Sequence, residues 1–180
     1  PEYQEITKRC ELGLNHEQQH QELLCTDIKY SFSFNPLYPS LAQSPAESGQ
    51  GEEAGWIEFD ATETITGYSG DGFHFDNEVP CHRNLLPAFR LGTRLINNAE
   101  YLAFVEDGGY RQAGLWLADG WAWVQQNSID KPLYWRHDDG AWLEYTLYGL
   151  QSLDPQLPLC HVNYYEADAY ARWAGKRLPM

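Results

Sequence analysis

Basic side chains are scarce in this sequence: Lys and Arg total 12 against 26 Asp and Glu, for a formal net charge of −14. With no basic cluster to offset it, such a balance repels phosphate backbones and anionic lipid, so neither nucleic acid nor a membrane surface is expected as a partner. Cysteine is sparse too. Cys10, Cys25, Cys81 and Cys160 show no C-x-x-C spacing and no disulfide-framework density, a usage that fits free thiols in a reducing cytoplasm. No apolar run approaches the ~18 residues of a membrane span, and the first residues lack a signal-peptide pattern. The expectation is a soluble, cytoplasmic protein. At 180 residues the chain has room for one domain, or for one domain and part of another.

What the sequence does have is concentrated first in Asn15–Lys29, NHEQQHQELLCTDIK. His16 and His20 are four apart, so on a helix their side chains stack on one face, a common way to offer two imidazoles to one metal ion. Residues 16–20 also spell H-E-x-x-H, the zinc-peptidase motif in which the Glu acts as general base. A histidine continuing that motif would fall at position 26, which is Thr26. At about 100° per residue Glu22 points well away from both histidines, whereas Gln19 lies about 60° from His16 and can face a pocket beside the metal. A hydrogen-bonded pair of core histidines is the structural alternative.

Along the chain, a first helix is predicted from Glu2 to about Tyr30, ending before Asn35-Pro36 because the residue before Pro disfavours helix. Pro36–Gly55 is rich in Pro, Ser, Gly, Gln and Glu and reads as a linker or long surface loop. From Trp56 come short strand-like runs, WIEF, TITGY, FHF and HRNLLPAFRLG. Asn97–Glu100 has the form of a capping box opening a short helix that Gly108-Gly109 ends, and Asn163–Glu166 opens a second that Gly175 ends. Residues 133–148 read as a hairpin turning at Asp138-Asp139-Gly140, with His137 a solvated loop residue. His161 reads as structural, a strand-end residue before the last helix, and Cys81 and Cys160 as buried thiols. Seven Trp and twelve Tyr are expected chiefly as core filler where regular structure is sparse, the alternative being an exposed aromatic binding surface. The fold class is α+β.

The segment LGLNHEQQHQELLCTDIKYSFSFNPLYP resembles the iron-binding helix of the ergothioneine-biosynthesis sulfoxide synthases, whose first half is a DinB-like four-helix bundle. FDNEVPCHRNLLPAFRLGTRLINNAEYLAFVEDGGY, PLYW and HVNYYEADAYARWAGKRLP resemble the formylglycine-generating, sulfatase-modifying-factor type of domain. That domain is C-type-lectin-like, and its family usually has Thr where Met180 stands. Together the two resemblances imply residues 1–35 as the end of a helical bundle, 36–55 as a linker and 56–180 as the first part of the second domain. They imply Fe(II) as cofactor, O2 as co-substrate, and formation of a C–S bond with sulfoxidation between hercynine and cysteine or γ-glutamylcysteine. His16 and His20 would be iron ligands and Gln19 a contact for the betaine end of hercynine. The family's third histidine and its proton-donating tyrosine have no match in these residues, so the 180 residues alone are expected to bind iron weakly and to be inactive. The cysteine pair of true formylglycine-generating enzymes is likewise expected beyond position 180. An ovothiol-type synthase acting on histidine, a zinc metallopeptidase and a non-catalytic aromatic-rich module are the other readings.

Overall fold

A computed structural model describes residues 2–43 and 53–179, so part of the Pro36–Gly55 linker, residues 44–52, lies outside the described residues. The chain divides into two compact units, residues 1–31 with 56–91, and residues 32–55 with 92–180.

The first unit begins with α1 (Glu2–Ser33). Its run of Glu, Gln, Lys and Leu contains no Pro and a single Gly13, so nothing breaks it, and Glu5 and Arg9 add an i,i+4 ion pair at 2.6 Å. The helix runs to Ser33, past the Tyr30 expected, because the restriction imposed by Pro36 acts on Asn35 and no further back. Its apolar side chains Ile6, Leu12, Leu23 and Leu24 are all exposed. The four strands of this region are β1 (Trp56–Phe59), β2 (Thr62–Thr66), β3 (His82–Leu86) and β4 (Phe89–Gly92), paired β1 with β4 and β2 antiparallel with β3. Phe59 stacks on Phe89 at 4.8 Å between centroids. The HRNLLPAFRLG run is two strands separated by Pro87, which cannot donate to a ladder. FHF is loop rather than strand: Phe73 and Phe75 pack edge-on at 5.0 Å, and His74 stacks on Tyr68. Among the described residues no strand pairs with this segment.

The second unit holds α2 (Asn98–Glu106), α3 (Ala118–Asn127), the antiparallel meander β5 (Trp135–Asp138), β6 (Ala141–Thr146) and β7 (Gly149–Ser152), and α4 (Tyr164–Trp173). Both capping boxes form. Asn97 Oδ1 accepts from Glu100 N at 2.9 Å while Glu100 Oε2 accepts from Asn97 N at 3.0 Å, and Asn163 with Glu166 repeats the arrangement at 3.0 and 2.8 Å. Asp139 and Gly140 both have positive φ, 45° and 82°, as a two-residue turn between twisted strands requires. Tyr101, Phe104, Tyr110, Trp116, Val124, Trp135, Ala169 and Tyr170 form the buried core. Most of these are aromatic, so the aromatic content serves packing. α3 is an element the sequence reading lacks: Gly120 sits in its interior, where Gly is unfavourable, and is required because a Cβ there would lie 2.6 Å from Tyr165 Cβ.

Among the described residues no helix is long and apolar enough to cross a membrane.

Candidate metal centre

The histidine pair is set by α1 alone. One helical turn separates His16 from His20, and their rings lie 4.4 Å apart between centroids at an interplanar angle of 62°. Both side chains are exposed, as are Gln19 and Glu22. Glu17 Oε2 stands 3.7 Å from His20 Nδ1, close enough to orient the ring but beyond hydrogen-bond distance. The pair is therefore not a set of buried, hydrogen-bonded core histidines within the described residues. Two adjacent imidazole nitrogens on one face suit a first-row metal, and they fill part of its coordination sphere. Among the described residues no group of three or more His, Cys, Asp or Glu could hold an ion. As donors, two imidazoles could supply part of a first-row metal's coordination sphere, and further ligands would be needed to complete it.

The remaining histidines are occupied locally. His82 Nδ1 lies 2.9 Å from Pro80 O and His74 Nδ1 3.3 Å from Gly72 O. His137 belongs to β5 rather than to a loop, because its register opposite Trp142 continues the ladder, and its ring leans on Trp142 at 4.9 Å. His161 is not at a strand end. It lies in the irregular run after β7 with φ of 59°, its ring edge-on to Tyr134 at 4.8 Å. Cys81 and Cys160, expected as buried thiols, are exposed, as are Cys10 and Cys25. The reason is their position: Cys81 precedes the exposed strand β3, and Cys160 sits in the irregular run before α4 with Sγ 3.6 Å from Pro158 O, outside the aromatic core.

A buried polar chain that sequence reasoning missed crosses the second unit. Tyr110 Oη donates to Glu166 Oε1 at 2.5 Å and lies 3.1 Å from Tyr101 Oη. Burial pushes all three groups toward their neutral forms: the Glu166 carboxyl is raised, though the Tyr110 hydroxyl and Asn163 amide oppose this, and the Tyr101 and Tyr110 phenols rise well above the usual range. Burial also takes the Tyr170 phenol up to about 12. All three tyrosines stay neutral hydroxyls near neutral pH. Glu166 was legible as a capping residue, but nothing in the sequence spacing signals that its second oxygen receives a hydroxyl from 56 positions away.

Residues 51–180 match the sulfatase-modifying factor enzyme 1-like domain. The chain is 33% identical over 167 residues to a hercynine oxygenase of Mycolicibacterium thermoresistibile, an alignment covering 92% of this chain and 36% of the relative. It is 39% identical over 104 residues to the hercynine oxygenase of Mycobacterium tuberculosis and 40% identical over 105 residues to that of Mycolicibacterium smegmatis, each alignment covering 58% of this chain and 24% of the relative. The chain thus spans about a quarter to a third of the length of these relatives. Because the first alignment takes in 92% of the chain, it extends into α1, ahead of the domain match that starts at residue 51.

Proposed function

The chain belongs to the sulfatase-modifying factor enzyme 1-like family through residues 51–180, and on that premise we propose that it is part of an ergothioneine-pathway enzyme acting oxidatively on hercynine. The finer reading is a sulfoxide synthase that uses Fe(II) and O2 to join the hercynine imidazole to cysteine or γ-glutamylcysteine. In this reading residues 1–35 are the metal-bearing helical part, 36–55 the linker and 56–180 the beginning of the second domain. One observation carries it: the similarity to a hercynine oxygenase runs through 92% of the chain, histidine helix and domain together. That favours hercynine over histidine as substrate, and it favours an oxygenase over a peptidase or a binding module.

The roles of the chain's own residues follow from α1. His16 and His20 present imidazole nitrogens on one face and would hold the iron jointly with at least one ligand from outside the described residues. Iron(II), when bound, supplies the activation of dioxygen. Gln19, between the ligand positions in sequence and exposed beside them, offers an amide that can both donate and accept, and it would orient the betaine end of hercynine. Glu17 could accept a hydrogen bond donated by His20 Nδ1–H after a small rotation, which would fix the tautomer that leaves Nε2 free to ligate.

The test is made on the complete open reading frame, reconstituted anaerobically with iron(II). Oxygen uptake requiring hercynine together with one of the two thiols is expected, and His20→Ala should abolish it while the circular dichroism spectrum is retained. Undiminished uptake in His20→Ala would remove the iron assignment. Tight zinc with no oxygen uptake would replace this reading with the peptidase one.

A further inference from the structure

Residues 35–42, which follow α1, are tied down by contacts that do not rely on regular secondary structure. At the helix end Asn35 N donates to Phe32 O at 3.0 Å, Asn35 Oδ1 accepts from Leu37 N at 2.9 Å, and Asn35 O accepts from Tyr38 N at 3.0 Å. The chain therefore leaves Ser33 through a closed turn. It then reaches the β5–β7 meander, where Leu41 N and Ala42 N both donate to Leu147 O, at 2.7 and 3.2 Å. The Tyr145 hydroxyl, reaching from β6 across 106 positions of sequence, donates to Pro39 O at 2.8 Å.

Side chains add to these bonds. The Tyr38 ring packs 5.8 Å from Tyr145 and carries the Arg136 guanidinium over its face at 4.9 Å. Gly149, at φ of 86°, opens β7 where a Cβ would come within 3.3 Å of Tyr38 O, so a close backbone approach is built into the sheet side of the contact. Tyr145 is 1% exposed. A tyrosine buried to that degree needs an acceptor for its hydroxyl, and the acceptor here is a carbonyl of the segment itself. Lifting the segment would leave that hydroxyl without its partner and uncover the face of β6. The segment is thus part of the second unit's packing, although the domain match begins only at residue 51.

We propose that residues 38–42 are a strap that anchors the chain leaving α1 onto the β5–β7 meander, with Arg136 and Tyr145 as the positioning residues that hold it closed. With the strap closed, residues 34–37 connect the end of α1 to the meander contact. With it open, the next hydrogen bond to that unit among the described residues is that of Gly55, bonded to Thr93 at 2.9 and 3.0 Å. A shorter tether raises the effective concentration of whatever it carries. α1 carries His16 and His20, so the strap's effect on turnover rests on the function proposed above, whereas its closure does not.

Hydrogen exchange and steady-state kinetics on the complete iron-loaded protein test the two parts separately. The Leu41 and Ala42 amides should exchange at least about tenfold more slowly than in an unstructured peptide. Tyr145→Phe should speed them about two- to tenfold, the population change that follows loss of one hydrogen bond. Arg136→Gln should do likewise and Arg136→Lys, which keeps a cation over Tyr38, should restore protection. Both loosening variants should lower kcat with KM for hercynine unchanged, again rescued in Arg136→Lys. Exchange of Leu41 and Ala42 at unstructured rates in the unaltered protein would overturn the strap, as would equal protection in Arg136→Gln. Protected amides with an unaltered kcat in both loosening variants would overturn its positioning role. Absence of any oxygen uptake would remove the proposed function and leave the exchange result to decide closure alone.

Discussion

Tyr110→Phe is the most incisive perturbation of the second unit, because it deletes one oxygen and keeps the ring. The packing of Tyr110 on Phe104 at 5.7 Å and on Trp116 at 5.2 Å is preserved. What is lost is the donor to Glu166 Oε1 and the partner of Tyr101 Oη. A hydrogen bond to a carboxylate contributes about 1.5–3 kcal/mol and a neutral one about 0.5–1.5 kcal/mol, and a buried group left unpaired adds to the loss. A destabilisation of about 2–4 kcal/mol is therefore expected where Glu166 is ionised, which for a chain of this size lowers the unfolding midpoint by about 4–16 °C. Calorimetry or urea denaturation measures it, with the unfolding m-value as a check that compactness is unchanged.

The sign of the pH dependence sharpens the test. Burial raises the Glu166 carboxyl above its ordinary value of 4.5, so the folded state holds that proton more tightly than the unfolded state. The stabilisation that this proton brings is fully present below pH 4.5 and is lost as pH rises through the raised value. Across that window the Tyr110 bond changes from one to a neutral carboxyl into one to a carboxylate. The cost of Tyr110→Phe should consequently be larger above the raised value, with Glu166 ionised, than below pH 4.5. A cost below about 0.5 kcal/mol, within the range of unremarkable surface substitutions, or one that does not change with pH, would refute the reasoning.

Three further outcomes follow from the same unit. Gly109→Ala would place a Cβ 2.0 Å from Phe104 Cε2 in the centre of the core; overpacking of this kind costs about 1–3 kcal/mol or more, and a midpoint equal to that of the unaltered chain would show that the core can yield there. Asn163→Ala should cost about 0.5–2 kcal/mol through loss of the cap on α4, measured by urea titration, and Asn97→Ala should cost more because Asn97 is buried, 7% exposed, so that the amide it caps loses its partner away from water.

What could be read in the sequence is what depends on neighbours in the chain. The capping boxes at Asn97 and Asn163, the turn at Asp139-Gly140 and the stacking of His16 on His20 are each settled within four or five residues, and the structure contains all of them. The failures lie where distant residues decide. α3 forms despite Gly120 because Tyr165, 45 positions later, packs into the space a side chain would take. β7 exists because β6 offers it an open edge, which four residues of GLQS do not announce. Cys81 and Cys160 looked like core thiols by residue type, and only the placement of the aromatic cluster shows them to be exposed. The candidate site divides in the same way: the histidine pair is local and visible, whereas any further ligand a metal would need is a matter of tertiary structure.

The bond from Tyr110 to Glu166 also bears on synthesis of the chain. Its partners are 56 residues apart, and the indole of Trp173 reaches back 66 residues to Asp107. At a synthesis rate of about 5–20 residues per second, Tyr110 leaves the ribosome roughly 3–11 seconds before the carboxyl group that will accept its hydrogen bond. For that interval Tyr101, Phe104, Tyr110 and Trp116 are an aromatic cluster without α4 to cover it. A nascent chain stalled between these points should bind hydrophobic-segment chaperones, and should release them once the YYEADAY turn of α4 has emerged.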